Sequence, residues 1–144
     1  DFLTLHPNHP KLSFVQFRIG EAYWKKAPEE IDREQSLTHK AVAAWLKLGK
    51  EFPNSSYYKK VKPLILEGES RIFKSQQLIA SYYCKQGFWY SCAYRHLEVL
   101  ENMPIKLKEL KIKSLNEAAK ALEELAQKDD VVENLLSKNG QKNK

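Results

Sequence analysis

Cys84 and Cys92 are the only cysteines of the chain, and with the four histidines they hold most of what could react. Cys92 falls in a slot that calls for a small residue between packed helices, which by itself accounts for it. A disulfide across the intervening Gly87 turn suits an oxidising compartment, but it needs Cα atoms within about 7 Å and converging Cβ vectors. Spacing alone leaves both readings open. Two cysteines at this separation match no zinc pattern. His6 and His9 lie in the run His6-Pro7-Asn8-His9-Pro10, with no cysteine or carboxylate near in sequence to complete a metal site. His96 replaces an aromatic at a packing position and reads as a buried residue, not a base. Glu67 and Glu69 are two apart, so on a helix they point to different sides and cannot share a proton. No G-x-S-x-G elbow or glycine-rich phosphate loop occurs. No catalytic residue, cofactor or metal is therefore expected, and the chain is not read as an enzyme.

A second cluster holds Phe88, Trp89, Tyr90, Tyr94 and Arg95, large aromatics beside an arginine. That composition is typical of the few residues that dominate binding at a protein interface. Trp89, directly after the turn, suits the core of a helix pair as well as a partner contact. Arg95, three residues after the packing position Cys92, is expected at the surface. Its planar fork can engage both oxygens of a partner carboxylate.

The elements that carry these residues follow from a repeat. A tetratricopeptide unit is two antiparallel helices with the pattern W-x2-L-G-x2-Y, then A-x3-F, then a closing proline. Ile79-Ala80-x-x-Tyr83 fills the first slots and Cys92-x3-His96 the second, with Gly87 turning and Pro104 closing. Upstream, Ile19-Gly20-x-x-Tyr23, Ala41-x3-Trp45 and Pro53 repeat the arrangement. Gly20 costs about 1 kcal/mol against alanine inside a helix, so its use there points to close backbone approach. Gly20 and Ala41 lie 21 positions apart, where the repeat places them about 12 apart. The excess maps to Lys26–Gln35, an enlarged loop that reads equally as a binding element or a spacer. Asp32 with Gln35 could form a capping box at the next helix start.

The expected fold is all-α, a TPR-type solenoid of antiparallel helix pairs with a C-terminal capping helix. Residues 1–128 form the helical domain: a remnant of a preceding repeat (1–10), a repeat with the enlarged loop (11–53), a repeat (57–104) and the capping helix (105–128). A long helix from about Tyr57 to Gln86 contains Pro63, where a kink or a late start is expected. On the capping helix, Leu115, Ala118, Ala119, Leu122, Leu125 and Ala126 form the apolar stripe. Residues 129–144 read as a short amphipathic segment through Val131, Val132, Leu135 and Leu136, then a disordered tail. The chain opens on Asp1 and Phe2-Leu3-Thr4-Leu5-His6-Pro7 reads as the tail of an earlier helix, so a fragment is expected.

Bulk properties narrow the partners. The net charge of +6 arises from 24 basic and 18 acidic residues, so the basic excess is diluted. Local clusters at Lys59, Lys60 and Lys62 and at Lys106, Lys108, Lys111 and Lys113 read as solvated helix faces. Nucleic acid is not expected as a partner. No stretch approaches the apolar length of a membrane-spanning helix.

Three landmarks reach beyond a generic repeat. They are Leu5-His6-Pro7-Asn8-His9-Pro10, Phe52-Pro53-Asn54-Ser55-Ser56-Tyr57, and Ala80-Ser81-Tyr82-Tyr83-x3-Gly87-x-Trp89 followed by Arg95. In this order and spacing the chain resembles the C-terminal half of the BamD (ComL/YfiO-type) family of outer membrane protein assembly lipoproteins, over about residues 1–127. The resemblance implies a non-enzymatic scaffold of the β-barrel assembly machinery at the periplasmic face of the outer membrane, held by an N-terminal lipid anchor that lies outside this fragment. It implies docking on a BamA-like POTRA domain, contact with a BamC-like lipoprotein, and, for the full-length protein, unfolded outer membrane protein substrates. The family arginine associated with the BamA contact falls on Arg95, and Gln86 stands where a second arginine is usual. The expected partner-binding residues are Arg95, Gln86, Phe88, Trp89, Tyr90 and Tyr94. The rival reading is another periplasmic TPR adaptor, such as a Tol-Pal-associated coordinator. A cytoplasmic co-chaperone ranks last, because no Lys/Asn carboxylate clamp assembles from these slots.

Overall fold

The computed structural model describes residues 11–140, with side chains described through Asp129. The expected remnant of an earlier repeat at 1–10, the side chains of the segment after Asp129 and the tail at 141–144 lie outside the described residues. Among the described residues five helices follow one another: α1 (Leu12–Trp24), α2 (Ser36–Glu51), α3 (Ser56–Lys85), α4 (Trp89–Asn102) and α5 (Lys108–Gly140). The fold is all-α, with no strand among the described residues. The chain divides after Ser75, inside α3, into two compact units.

The first unit is built on α2. Its buried residues Thr38, Ala41, Val42, Ala44, Trp45 and Leu48 recur at three- and four-residue spacing, which gives one apolar stripe. Gly20 of α1 faces the Trp45 indole, and any Cβ at that position would overlap the ring. The missing side chain lets the helices close until Trp45 Nε1 donates to the Phe17 carbonyl at 3.3 Å. Gln16, buried on the same face, donates to the Ala44 carbonyl at 3.0 Å. Further along, the Lys40 ammonium lies 5.9 Å from the Tyr23 ring centre, so α1 and α2 run antiparallel. The first half of α3 packs against both helices, with Tyr58 against Gly49 of α2 and Gly68 against Val42 of α2 and Trp24 of α1. Val61, Ile65 and Ile72 complete the core around Trp45.

Pro63 sits inside α3, which begins at Ser56 and runs on to Lys85. Proline removes the bond that would reach back to the Lys59 carbonyl. Lys59 and Pro63 are both exposed, so water can take that acceptor and the helix continues.

The enlarged loop between α1 and α2 is tied down from both sides. Gln35 is buried and donates to the carbonyls of Glu30 (2.8 Å) and Arg33 (3.0 Å). From α3, Arg71 donates to the Pro28 carbonyl at 2.9 Å, and its guanidinium lies 4.5 Å from the centre of the Trp24 ring. The Asp32–Gln35 capping box does not form, because α2 starts at Ser36 with Gln35 as its cap residue. Glu34 supplies the acceptor instead, taking the Ser36 N–H at 2.8 Å, and Gln35 Oε1 accepts from the Thr38 hydroxyl at 2.7 Å.

The second unit comprises the end of α3, α4 and α5. Gly87 closes α3 at φ +74°, a conformation costly for any residue with a Cβ. The Phe88 N–H returns to the Tyr83 carbonyl at 3.0 Å and the Gly87 N–H to the Cys84 carbonyl at 3.1 Å. This paired closure is a Schellman motif, and the Phe88 and Tyr83 rings, 6.5 Å apart, provide its apolar clasp. Helix α4 turns Cys92, Ala93, His96 and Val99 inward, with Ala80 of α3 fully buried.

Helix α5 departs from the sequence expectation at both ends and in its inward face. It starts at Lys108, after a turn over Pro104–Leu107 in which the Leu107 N–H bonds the Pro104 carbonyl. It runs through Asp129 and Asp130 to Gly140, since aspartate costs a helix less than about 1 kcal/mol and no proline intervenes. The residues it buries are Ser114, Ala118 and Ala121, whereas Leu115 and Leu122 stay half exposed. The surface opposite is already filled by Cys92, Ala93 and His96, so only small side chains let α5 approach.

Candidate docking surface and the buried cysteine–histidine cluster

The aromatic residues singled out in the sequence lie in the second unit and separate by depth. Tyr90, Tyr94 and Leu97 recur at four- and three-residue spacing on the outward side of α4 and are 73%, 59% and 47% exposed. Phe88 at the turn and Tyr82 on α3 are also exposed. Gln86 is exposed just before Gly87. Trp89 differs: it is half-buried against Cys92, Ala93 and Ala121. Burial of this indole fixes the start of α4 and leaves Tyr90 and Phe88 to face water. Sequence reading misses Tyr82 and Leu97 because neither occupies a repeat slot.

Arg95 is exposed, and its guanidinium stacks 5.0 Å from the centre of the Tyr83 ring. Such a stack spares the arginine some of its rotamer freedom while leaving its outer donors unused. Beside it a cavity of about 220 Å³ is lined by Gln76, Ile79, Arg95, Glu98, Val99 and Asn102. That is smaller than the roughly 300–1,000 Å³ of small-molecule sites. Its neighbourhood suits a side chain of a partner better than a metabolite.

The remaining repeat positions have structural places. Gly20, Ala41, Trp45, Ala80 and Cys92 are buried where helices touch. Tyr23 lies at the surface of α1 and Tyr83 is half-buried. Pro53 follows α2 in an exposed turn, and Pro104 follows α4 half-buried.

Behind the aromatic surface, Cys84 and Cys92 are joined by a disulfide, with Cα atoms 4.9 Å apart. The Schellman turn brings the last residues of α3 over the first turn of α4 and so presents the two sulfurs to each other. His96 lies one helical turn beyond Cys92 and is fully buried. Its Nδ1 is 3.4 Å from Ser114 Oγ, and that hydroxyl accepts from Gln77 Nε2 at 2.6 Å. Gln77, buried on α3, also donates to the Leu110 carbonyl at 2.6 Å. The sequence gives no sign of this chain of contacts, since glutamine and serine in helices usually face solvent.

Burial holds the His96 imidazole below the ordinary 6.5; the nearby Glu117 carboxylate opposes the shift and Lys113 adds to it. The folded chain therefore binds fewer protons than the unfolded chain once pH falls below about 6.5, and stability falls with it. The expected result is a melting temperature that drops as pH is lowered from 7.5 toward 5, with a shallower drop in His96→Gln. Equal slopes for the two chains would place the titration elsewhere.

An all-helical chain whose second unit presents exposed aromatics beside Arg95 has the make-up of a helical-repeat scaffold. Among the described residues no helix is long and apolar enough to cross a membrane. The family model for YfiO, described as outer membrane lipoprotein, matches residues 1–135. The chain belongs to that family, and so to the outer-membrane assembly lipoproteins built on helical repeats.

Proposed function

We propose that the chain is a non-enzymatic scaffold of β-barrel assembly that docks on the periplasmic POTRA region of a BamA-like barrel component. In the full-length protein an N-terminal lipid anchor holds it at the periplasmic face of the outer membrane, where a BamC-like lipoprotein is a second partner and unfolded outer membrane proteins are substrates. The observation that carries the reading is Arg95, exposed and stacked on Tyr83 amid Phe88, Tyr90 and Tyr94. Rigid aromatics on helices lose little freedom on docking, so more of their contact energy appears as affinity. The Cys84–Cys92 disulfide suits an oxidising compartment such as the periplasm.

The test is binding of the chain to the purified POTRA region, measured by calorimetry. Arg95→Glu is expected to weaken it at least about tenfold, the equivalent of about 1.4 kcal/mol. Loss of the exposed Tyr83 stack costs about 0.5–1 kcal/mol, so the melting temperature should move by less than about 4 °C. Lys59→Glu, an equal charge reversal in the first unit, should leave affinity unchanged. Wild-type affinity in Arg95→Glu would remove Arg95 from the interface.

A further inference from the structure

We propose that the second unit contains a reductively unmasked metal site in which the thiolates of Cys84 and Cys92 and a ring nitrogen of His96 bind one Zn²⁺. The two sulfurs and a His96 nitrogen lie within 4.8 Å of one another. They come from two helices held by the Gly87 turn and by burial, so the grouping does not depend on flexible surface chains. Among the described residues His96 Nε2 is buried without a hydrogen-bond partner. An orphaned nitrogen on a fully buried imidazole is costly unless something occupies it. In the oxidised chain the sulfurs are bonded to each other and cannot share an ion with it.

The chemistry of the set selects the ion. Two thiolates and a neutral imidazole are soft ligands suited to zinc. Zn²⁺ with two thiolates carries no net charge, which is the least costly state for a site with Cys92 and His96 buried. With Zn–S near 2.3 Å and Zn–N near 2.0 Å, tetrahedral ligands sit about 3.5–3.8 Å apart. The two sulfurs, bonded in the oxidised chain, must part to that distance while the His96 nitrogen closes on them by up to about an ångström, both within reach of side-chain rotation. Three protein ligands leave one position of a tetrahedral ion for water, reached from the side of half-buried Cys84.

An outer shell is already in place. Ser114 Oγ sits 3.4 Å from His96 Nδ1 and is fixed by Gln77, the kind of contact that orients a ligating imidazole and leaves its other nitrogen for the ion. Burial keeps the imidazole neutral at pH 7, as ligation requires.

The conversion balances with a dithiol as reductant. Its two electrons and two protons cleave the Cys84–Cys92 bond and leave two thiols, while the reductant closes its own disulfide. Zinc binding then releases the two thiol protons. The disulfide and the metal are mutually exclusive occupants of one site.

The test uses the whole chain, oxidised or reduced anaerobically, titrated with Co²⁺ and then Zn²⁺ against a chromophoric chelator. The expected result is one ion per reduced chain, with a thiolate-to-cobalt charge-transfer band that Zn²⁺ abolishes, and no binding by the oxidised chain. Ser114→Ala should weaken binding about 10- to 100-fold, as loss of an outer-shell partner does. Cys84→Ser and His96→Asn should weaken it by more than about a hundredfold, since each removes a ligand. Circular dichroism of each variant checks that the fold is kept, and Ser114→Ala, a mild change, keeps the test open if another variant unfolds. A reduced, folded chain that binds no ion, or binding that persists unchanged in Ser114→Ala and His96→Asn, would overturn the assignment.

Discussion

Trp45→Ala is expected to lower the unfolding free energy of the first unit by about 3–5 kcal/mol, the range for deleting a large buried aromatic. The indole is fully buried in the first core, in one cluster with Val42, Leu48, Val61 and Ile65. It stacks at a tilt on Trp24 with ring centres 5.5 Å apart. Its Nε1–H bond to the Phe17 carbonyl is lost as well. The space left behind is framed by helix backbone at Gly20, which cannot collapse inward without moving α1. Urea titration followed by far-ultraviolet circular dichroism reads the change. A cost below about 1 kcal/mol would mean that Trp45 is not seated against α1 in this way.

Gly20 sharpens the argument because its sign should reverse. Alanine is favoured over glycine in a helix by about 1 kcal/mol, yet a Cβ at Gly20 would overlap the Trp45 ring. Overpacking of that kind costs about 1–3 kcal/mol. Gly20→Ala should therefore destabilise the parent chain and stabilise Trp45→Ala. Additive effects of the two changes would show that the residues do not touch.

The legible parts of the fold are those set by local spacing. The helix pairs follow from apolar periodicity, and the Gly87 turn follows from a glycine between two helical stretches. Small residues at repeat slots lead directly to close approach, as at Gly20 and Trp45. What sequence leaves open depends on atoms brought together by packing. The inward face of α5 is one case: Leu115 and Leu122 look like core residues, but the disulfide and His96 occupy the space they would need, and Ser114, Ala118 and Ala121 go inside instead. Arg71 is another, because only the fold shows that it reaches back to the Pro28 carbonyl and covers Trp24. The cysteine pairing rests on a Cα separation that a sequence spacing of eight positions cannot supply. Cys92 and His96 share a helix face by their four-residue spacing, but Cys84 joins them only once the turn geometry is known.

Removing the disulfide should have the second large effect. In the double variant Cys84→Ser with Cys92→Ala, loop closure over a separation of eight residues predicts a loss of about 2–3 kcal/mol. For a chain of this size that is roughly 5–10 °C in melting temperature. Alanine is the choice at Cys92 because the site is buried and calls for a small apolar group, whereas half-buried Cys84 tolerates a hydroxyl. The disulfide also clamps the end of α3 to α4, and with it Tyr82 and Phe88 to Tyr94 and Arg95. Partner affinity should therefore fall in the double variant even at temperatures where it stays folded, because the docking surface loses its fixed spacing. Domains of this kind are stable by about 5–15 kcal/mol, so the reduced chain should remain folded at 25 °C. The zinc site requires that margin: a double variant unfolded at 25 °C would mean that the reduced wild-type chain, which also lacks the disulfide, gives its two thiolates and His96 no scaffold to assemble on.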